Sequence, residues 1–336
     1  MKQRRTDGRK RRRGKTVLMI AAAVAVILFA LGMLAGNYLY NFSLNAARTT
    51  EFRLDGKPRG EDESVSAPVN GEQIGMEGLF SDPEWLASVG AADEWITSHD
   101  GLDLHALTIR TAADAPWMVL LHGYTSSCRS MASFAKGFFE RGWNILMPDL
   151  RGHGESEGTY RGMGWDDRAD ILRWLELLVS RDPDCEIAMY GISMGGAAVM
   201  MVSGEPLPNN VKALIEDCGY SSVYDEFSYQ LGNIFHLPAF PFMQFADLVT
   251  RLRAGSRLIF DGSSIEQLKK NKTPMLFIHG TEDTFVPFSM LAQVYDAAVC
   301  EKEQLIVEGA VHGMSFATDP ERFWGAIDAF LAKHTV

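Results

Sequence analysis

Short apolar runs alternate with longer amphipathic segments between Trp117 and Lys333. The longer segments carry apolar residues on one face at helical spacing, as at Ile171, Leu175 and Leu178. Strands are predicted at 117–121, 144–148, 187–190, 211–216, 275–279 and 304–307, and helices at 129–141, 166–181, 194–204, 289–299 and 320–333. Because strands that are apolar throughout are covered on both faces, this pattern predicts a mostly parallel sheet between two helical layers.

Two other segments differ from this alternation. Runs at 94–98 and 102–110 flank an Asp-Gly pair that is typical of a hairpin turn, and a short helix is predicted within 79–93. The alternation breaks at 219–272, which is rich in aromatic residues and follows a predicted strand. We expect this insertion to form a lid, or else an ordinary helical excursion packed on the sheet edge.

The N-terminal pattern is that of a membrane helix. No charged residue occurs from 16 to 47, and residues 17–36 are nearly all apolar. About 20 such residues cross the hydrocarbon core of a bilayer, so we predict a transmembrane helix at 16–40. A cleaved signal peptide is the alternative, but its apolar run would span only about 7–15 residues.

Charge is distributed unevenly along the 336 residues. Residues 1–15 contain nine basic residues and one acidic residue, a net charge of +8, so that the formal −11 of the chain leaves −19 on the remainder. The positive-inside rule makes the basic segment cytoplasmic and everything after the helix extracytoplasmic. A polar linker is predicted at 41–78 and one domain at 79–336. The acidic domain argues against nucleic acid as a partner.

Neither metal nor cofactor is expected. The four cysteines lack metal-binding spacing, and free thiols are their expected state. Only Cys128 and Cys218, which both follow predicted strands, would lie near enough to pair. The glycine-rich loop at 149–156 is not followed by the Lys-Ser/Thr pair of a phosphate-binding loop.

The candidate chemistry is concentrated in residues 186–196, EIAMYGISMGG. An apolar strand runs into the Gly-x-Ser-x-Gly sequence of 191–195 and continues into a helix of small residues. This order is typical of a nucleophile elbow, in which the serine lies at a strained turn and the glycines permit close backbone approach. Residues 154–158 also match the Gly-x-Ser-x-Gly motif, but no strand or helix is predicted beside them, so Ser156 is interpreted as a loop residue. Ser193 is the predicted nucleophile.

Loops after two later strands carry the candidate partners of this serine. Active sites of open parallel sheets lie beyond the carboxyl ends of the strands. His312 lies in a glycine-flanked loop after the last strand and is the predicted general base. Asp283 follows the preceding strand and would orient the imidazole, with Asp217 and Glu282 as competing carboxylates. The chain order Ser, Asp, His is the one that this elbow architecture uses.

Two backbone amides are the expected oxyanion donors. One is the amide after the nucleophile, at Met194, and the other comes from the early loop His122-Gly123-Tyr124, at Tyr124. Gly123 allows this loop to approach closely. His122 is expected to hold the loop in place rather than to carry protons.

The motifs GISMGG, HGYTSS, PDLRGHGESEG, HGTEDTFVP and AVHGMSF together resemble those of the α/β-hydrolase superfamily. More narrowly, the chain resembles bacterial membrane-anchored members similar to the BEM46-like and S33 serine aminopeptidase-type hydrolases, over about residues 94–333. The resemblance implies an α/β-hydrolase fold with an eight-stranded sheet, and no cofactor or metal. The site residues that it implies are a Ser193, Asp283 and His312 triad with the amides of Tyr124 and Met194. Serine at the elbow distinguishes the chain from the dehalogenase and epoxide-hydrolase branches, which carry aspartate there.

These observations predict a single-pass membrane-anchored serine hydrolase that cleaves an ester or thioester. The aromatic residues of 219–272 favour a lipid-like acyl group. One alternative is a serine peptidase or aminopeptidase, with Asp217, Asp225 or Glu226 as the receptor for a free amino terminus. A second alternative is a non-catalytic binding domain on the same fold.

Overall fold

The computed structural model describes residues 2–47, 67–69, 72–74 and 80–335, and within these the side chains of 14–47 and 80–335. Most of the predicted linker therefore lies outside the described residues. Inside it, β1 (Ala67–Val69) and β2 (Glu72–Ile74) form a small antiparallel pair.

Eight strands form one sheet in the order β10-β9-β8-β7-β5-β6-β4-β3. The strands are β3 (Ala92–Thr97), β4 (Asp103–Ile109), β5 (Trp117–Leu121), β6 (Asn144–Pro148), β7 (Ile187–Ile192), β8 (Val211–Asp217), β9 (Met275–Gly280) and β10 (Lys302–Val307). Strands β5 to β10 pair in parallel, whereas β4 is antiparallel to both β3 and β6. The predicted sheet is confirmed, with the hairpin at one edge.

The helices lie on both faces of this sheet, apart from the N-terminal helix and those of 219–272. In the described residues they are α1 (Lys2–Ser43), α2 (Pro83–Ser88), α3 (Ala132–Glu140), α4 (Asp167–Arg181), α5 (Met194–Val202), α6 (Val223–Phe235), α7 (Ala239–Ala254), α8 (Leu258–Asp261), α9 (Ser264–Leu268), α10 (Ser289–Ala297), α11 (Ser315–Thr318) and α12 (Pro320–His334). The helix predicted at 129–141 begins instead with a 3₁₀ turn at Cys128–Met131. The Cys128 amide there donates to the buried carboxylate of Asp149, outside the α-helical pattern.

Alternate residues of the central strands face two separate cores. Val119 and Leu121 of β5 pack in the core that α4 and α5 cover, whereas Met118 and Leu120 pack in the core that α3 and α12 cover. All four side chains are buried. Since successive side chains of a strand point to opposite faces, a strand between two cores must be apolar at every position. This is the pattern that the sequence shows.

Helix α1 is longer than the transmembrane helix predicted at 16–40. Its segment Gly14–Ser43 is long and apolar enough to cross a membrane. The last part of α1 packs along α7, where Phe245 lies against Gly32 and Gly36. A side chain at either glycine would overlap Phe245, so the two helices depend on small residues for their close approach.

The segment 219–272 contains helices α6 to α9. Its first half, α6 and α7, lies over the carboxyl end of the sheet and lines a pocket at Ser193. In its second half, α9 packs against α5, one of the helices that cover the sheet. Helix α6 begins at a Ser222 cap, whose hydroxyl accepts from the Asp225 amide at 3.0 Å.

Candidate active site

Ser193 lies at the junction between β7 and α5. Its backbone has φ 57° and ψ −117°, a conformation that costs a non-glycine residue of order 1–3 kcal/mol. The strain is held by the structure around it, because the Ser193 amide donates to the carbonyl of Asp217 on β8 at 2.8 Å. The strand and the helix thereby present the hydroxyl at the tip of a tight turn.

Two glycines of the elbow lie where a side chain would not fit. A Cβ at Gly191 would overlap the backbone of Gly195, and a Cβ at Gly195 would overlap the carbonyl of Leu121 on β5. At Gly123, by contrast, a Cβ would lie 3.5 Å from Cβ of Ser193. The early loop therefore lies directly against the serine.

A continuous hydrogen-bond chain links Ser193 to two distant side chains. The Nε2 atom of His312 lies 2.8 Å from Oγ of Ser193, and its Nδ1 atom lies 2.7 Å from Oδ2 of Asp283. All three side chains are buried. Nδ1 carries the proton toward the carboxylate, so Nε2 is free to accept the serine proton.

The surroundings of Asp283 keep it ionised. Its Oδ1 atom accepts the amides of Phe285 and Val286, each at 2.9 Å. Burial alone would raise its pKa, but the charge of His312 and hydrogen bonds from His279 and His312 outweigh burial and hold the pKa below its ordinary value. Burial likewise opposes charge on His312, and the carboxylate of Asp283 raises the pKa of the imidazole despite it.

Of the three candidate carboxylates, Asp283 is the one that reaches His312 among the described residues. Asp217 is buried and accepts hydrogen bonds from the hydroxyl of Tyr190 at 2.9 Å and from the hydroxyl of Ser315 at 3.3 Å. Burial raises the pKa of Asp217 to about 6. Glu282 is exposed to solvent.

The loop that carries Tyr124, one of the two expected oxyanion donors, is fixed by His122. The Nε2 atom of His122 accepts the Leu150 amide at 3.0 Å, so Nδ1 carries the proton and donates to the Gly123 carbonyl at 2.8 Å. Burial lowers the pKa of this imidazole, which keeps it neutral. Helix α5 begins at Met194, whose amide belongs to the first turn and has no acceptor within the helix.

Ser156, in the second Gly-x-Ser-x-Gly match, occupies a structural position. Its hydroxyl donates to the Asp149 carbonyl at 2.7 Å and accepts the His105 amide at 2.8 Å. Both bonds tie the loop to β4 and β6. The four cysteines, all in the described part of the chain, are free.

One further cluster has donors of the metal-ligating kind. His105, Cys128 and Asp149 bring one ligand atom each within 4.8 Å of one another, and all three are buried. The Asp149 carboxylate is already occupied, since it accepts from the Cys128 amide at 2.6 Å and bonds to His105 at 2.8 Å. Burial raises the pKa of the Cys128 thiol, which disfavours the thiolate that a metal needs.

Of the three carboxylates considered for a free amino terminus, Glu226 lines the pocket, and the structure adds further side chains that the sequence did not assign to it. Glu226 and Gln230 of α6 line it, together with Leu39 and Phe42 of α1. Nothing in the apolar pattern of α1 indicates that its last residues contact the pocket. His279, the second imidazole at Asp283, is the penultimate residue of β9, and no local feature of the sequence indicates its contact with Asp283.

Comparisons with known proteins agree with the fold. Residues 114–219 match the family described as serine aminopeptidase, S33. The chain is 26% identical to the uncharacterized protein YqkD of Bacillus subtilis over 237 residues, covering 70% of this chain and 77% of that protein. It is 23% identical to a bifunctional esterase/perhydrolase of Acinetobacter calcoaceticus, covering 66% of this chain and 93% of that protein.

Solved structures of other proteins have the same architecture. An esterase of Pyrococcus furiosus superposes with a TM-score of 0.63 at 23% identity, covering 82% of this chain and 99% of that chain. An acylaminoacyl peptidase of Pyrococcus horikoshii superposes with a TM-score of 0.53 at 20% identity, covering 72% of this chain and 40% of that chain. The sheet and the elbow define an α/β-hydrolase fold. The chain has the fold of the α/β hydrolases, and its residues 114–219 are similar to the S33 hydrolases.

Proposed function

We propose that the protein is a serine hydrolase that transfers an acyl group from an ester or thioester to water. The observation that carries the proposal is the hydrogen-bond chain from Ser193 through His312 to Asp283, with distances of 2.8 and 2.7 Å. A serine hydroxyl is activated when a general base contacts it and a buried carboxylate orients that base.

In the proposed reaction, Oγ of Ser193 attacks the carbonyl carbon while Nε2 of His312 takes the hydroxyl proton. The amides of Tyr124 and Met194 would stabilise the oxyanion. His312 then returns the proton to the leaving alcohol or thiol as the acyl bond breaks. Water attacks the acyl-enzyme with His312 again as the base, which releases the carboxylic acid and restores Ser193.

The pocket beside Ser193 supports an apolar acyl group as the substrate. It is lined mainly by aliphatic and aromatic side chains. Those from 219–272 include Leu231, Ile234, Phe235, Met243 and Ile259. Burying each methylene of an acyl chain against such a surface contributes about 0.8 kcal/mol, which favours longer chains until the pocket is full.

A fluorophosphonate probe tests the proposal directly, because it labels only an activated serine. We expect labelling of the wild type, loss of labelling in Ser193→Ala, and retained labelling in the matched control Ser156→Ala. Equal labelling of the two variants would contradict the assignment of the nucleophile. Absence of labelling in the folded wild type would favour a non-catalytic binding domain.

Glu226 supports the peptidase alternative. It is buried in the pocket wall, and its Oε2 atom has no hydrogen-bond partner among the described residues. Gln230 donates to its other oxygen at 2.8 Å. Burial raises the pKa of Glu226 to about 8, so the side chain is largely neutral without a bound cation. A substrate ammonium group would favour its ionised form and so supply the missing partner.

We also propose that Gly14–Ser43 of α1 anchors the catalytic domain to the cytoplasmic membrane, with the N-terminus in the cytoplasm. The length and apolar character of this segment support the anchor, and the basic residues before it support the orientation. A reporter fused after Val336 tests the orientation: alkaline phosphatase should be active there and green fluorescent protein dark. The reverse result would overturn it.

A further inference from the structure

The end of α1 forms part of the pocket wall. Leu39, Phe42 and Ser43 line the same pocket as Ser193. The Ser43 carbonyl accepts the hydroxyl of Tyr124 at 2.6 Å, and Tyr124 belongs to the loop that lies against the nucleophile. The helix that would cross the membrane therefore ends at the catalytic site rather than at a distance from it.

This contact is specific rather than incidental. Arg253 of α7 donates to the side-chain oxygens of Asn37 and Asn41 at 2.9 and 2.8 Å. Beyond the helix, the Leu44 carbonyl accepts the amide of Arg161 at 2.9 Å, and the Ala46 amide donates to a loop carbonyl of the domain at 3.1 Å. Main-chain hydrogen bonds of this kind fix the register of the segment on the domain.

The middle of α7 lies beside the apolar part of α1. The ring of Phe245 meets the ring of Phe29 with centroids 5.8 Å apart, and the other end of α7 reaches Asn37 and Asn41. The two helices therefore run in the same direction. Phe29 precedes Gly36 by seven residues, or about 10 Å of helix. The α7 end of the turn at residues 236–242, which includes Phe240, thus lies at the depth of the acyl chains if α1 spans a bilayer, whereas Phe235 before the turn contacts Tyr38 and Phe42 near the end of α1.

The surface of this turn matches that depth. Phe240 is 73% exposed and would be covered by acyl chains at that depth. The opposite end of α7 carries Arg251 and Arg253, and Arg257 follows the helix; all three are exposed. Arg251 pairs with Asp247 and Arg257 pairs with Asp261. An exposed aromatic side chain at the deep end of α7 fits the acyl region of a leaflet, and exposed arginines at its shallow end fit the headgroup region.

We propose that the α6–α7 turn is immersed in the leaflet nearest the catalytic domain and that the pocket receives the acyl chain of a membrane-resident ester from that leaflet. Leu39 and Phe42 of α1 then determine acyl-chain specificity. This inference rests on the proposed function for its chemistry: the acyl C–O bond breaks as the bond to Oγ of Ser193 forms, and water later releases the fatty acid.

Immersion is tested without reference to activity. The full-length variant Phe240→Trp is reconstituted in vesicles whose lipids are brominated at mid-chain, and its fluorescence is compared with that of the wild type, whose seven tryptophans all lie outside the turn and α1. Val299→Trp is the matched control, since Val299 is 67% exposed and lies between α10 and β10. We expect extra quenching for Phe240→Trp alone. Equal quenching of the two variants would overturn the immersion.

Specificity is tested on the same vesicles. Leu39→Trp should lower the ratio of kcat/KM for a palmitoyl ester to that for an acetyl ester by tenfold or more, because the added ring fills the pocket. Leu34→Trp, at a lipid-facing position that is 67% exposed, should leave the ratio at the wild-type value. An unchanged ratio in Leu39→Trp would refute the role of α1. A wild type that hydrolyses neither ester would instead count against the proposed function, while the quenching result would stand.

Discussion

The protonation of His312 is coupled to the charges of several neighbouring carboxyl groups. It contacts Ser193 on one side and Asp283 on the other, within a buried site. The charges that face it also include those of Glu226 and Asp217, both of which raise its pKa. The protonation of one imidazole therefore depends on several carboxyl groups from different elements.

The pH dependence of kcat/KM should follow this imidazole. Activity requires neutral His312, so it should rise with pH and reach half its plateau above the ordinary histidine value of 6.5. In Asp283→Asn the main charge that favours the imidazolium is lost, so the midpoint should move to lower pH and kcat should fall by about 10⁴-fold. The measurement is the pH profile of ester hydrolysis. A midpoint that does not move would show that His312 is not the titrating base.

Glu226 separates the ester and peptide alternatives at a single position. Glu226→Gln preserves the size of the side chain and its contact with Gln230, but cannot become an anion. If the substrate is an ester, kcat/KM should change by less than about fivefold. If a free amino terminus is bound, KM for an aminoacyl amide should rise by about tenfold or more, since an ion pair in a buried pocket contributes more than 1.4 kcal/mol. Steady-state kinetics on both substrates decide between them.

At the scale of elements, the elbow depends on three segments whose backbones are in direct contact, with no side chain between them. Strand β7 runs into Ser193, α5 begins at Met194, and the carbonyl of Leu121 at the end of β5 lies under Gly195. The hydrogen bond from the Ser193 amide to β8 completes the junction. Backbone from two neighbouring strands thus holds a strained residue in place.

Gly195→Ala should destabilise the fold by about 2–4 kcal/mol, since the methyl group would overlap the backbone of β5, which cannot shift within the sheet. Gly325→Ala in α12 is the matched control. A Cβ there has nothing within 4 Å, and helix propensity predicts a gain of about 1 kcal/mol. Urea unfolding of the two variants measures both effects. Equal stabilities would contradict the role of Gly195.

At the scale of the whole molecule, the N-terminal helix and the catalytic domain form one packed unit. Helix α1 lies against α7 through Gly32 and Gly36, and its last residues enter the pocket. The position of the domain relative to α1 is therefore set by side-chain packing and by the hydrogen bonds of Arg253. A free tether would leave that position undetermined.

Gly36→Leu should separate α1 from α7, because its side chain would meet the backbone at Phe245. We expect a fall of several degrees in the Tm of the detergent-solubilised full chain and faster proteolysis of the segment after α1. Leu34→Met, on the exposed face of the same helix, should leave both unchanged. A Tm for Gly36→Leu equal to that of the wild type would indicate that the helix packs elsewhere in solution.

Local features of the chain determined the sheet, the elbow and the helix of α1. The predicted strands agree with the structure within two residues, because apolar runs between helices specify buried parallel strands. The largest local discrepancies are the 3₁₀ turn at Cys128–Met131 and the extra turns of α1. The 3₁₀ turn does not follow from the apolar pattern because a hydrogen bond to Asp149 holds it. The extra turns of α1 lie mainly before residue 16, among basic residues that the apolar pattern does not include.

Only the tertiary structure decided which groups meet. Ser193 and His312 are 119 residues apart, and the choice of Asp283 over Asp217 and Glu282 depends on how the loops after β8 and β9 fold. The same holds for Glu226 and the end of α1 in the pocket wall. Periodicity and turn residues act over a few positions and so specify elements. Contacts between distant segments depend on how complete elements pack, which no local pattern of the chain encodes.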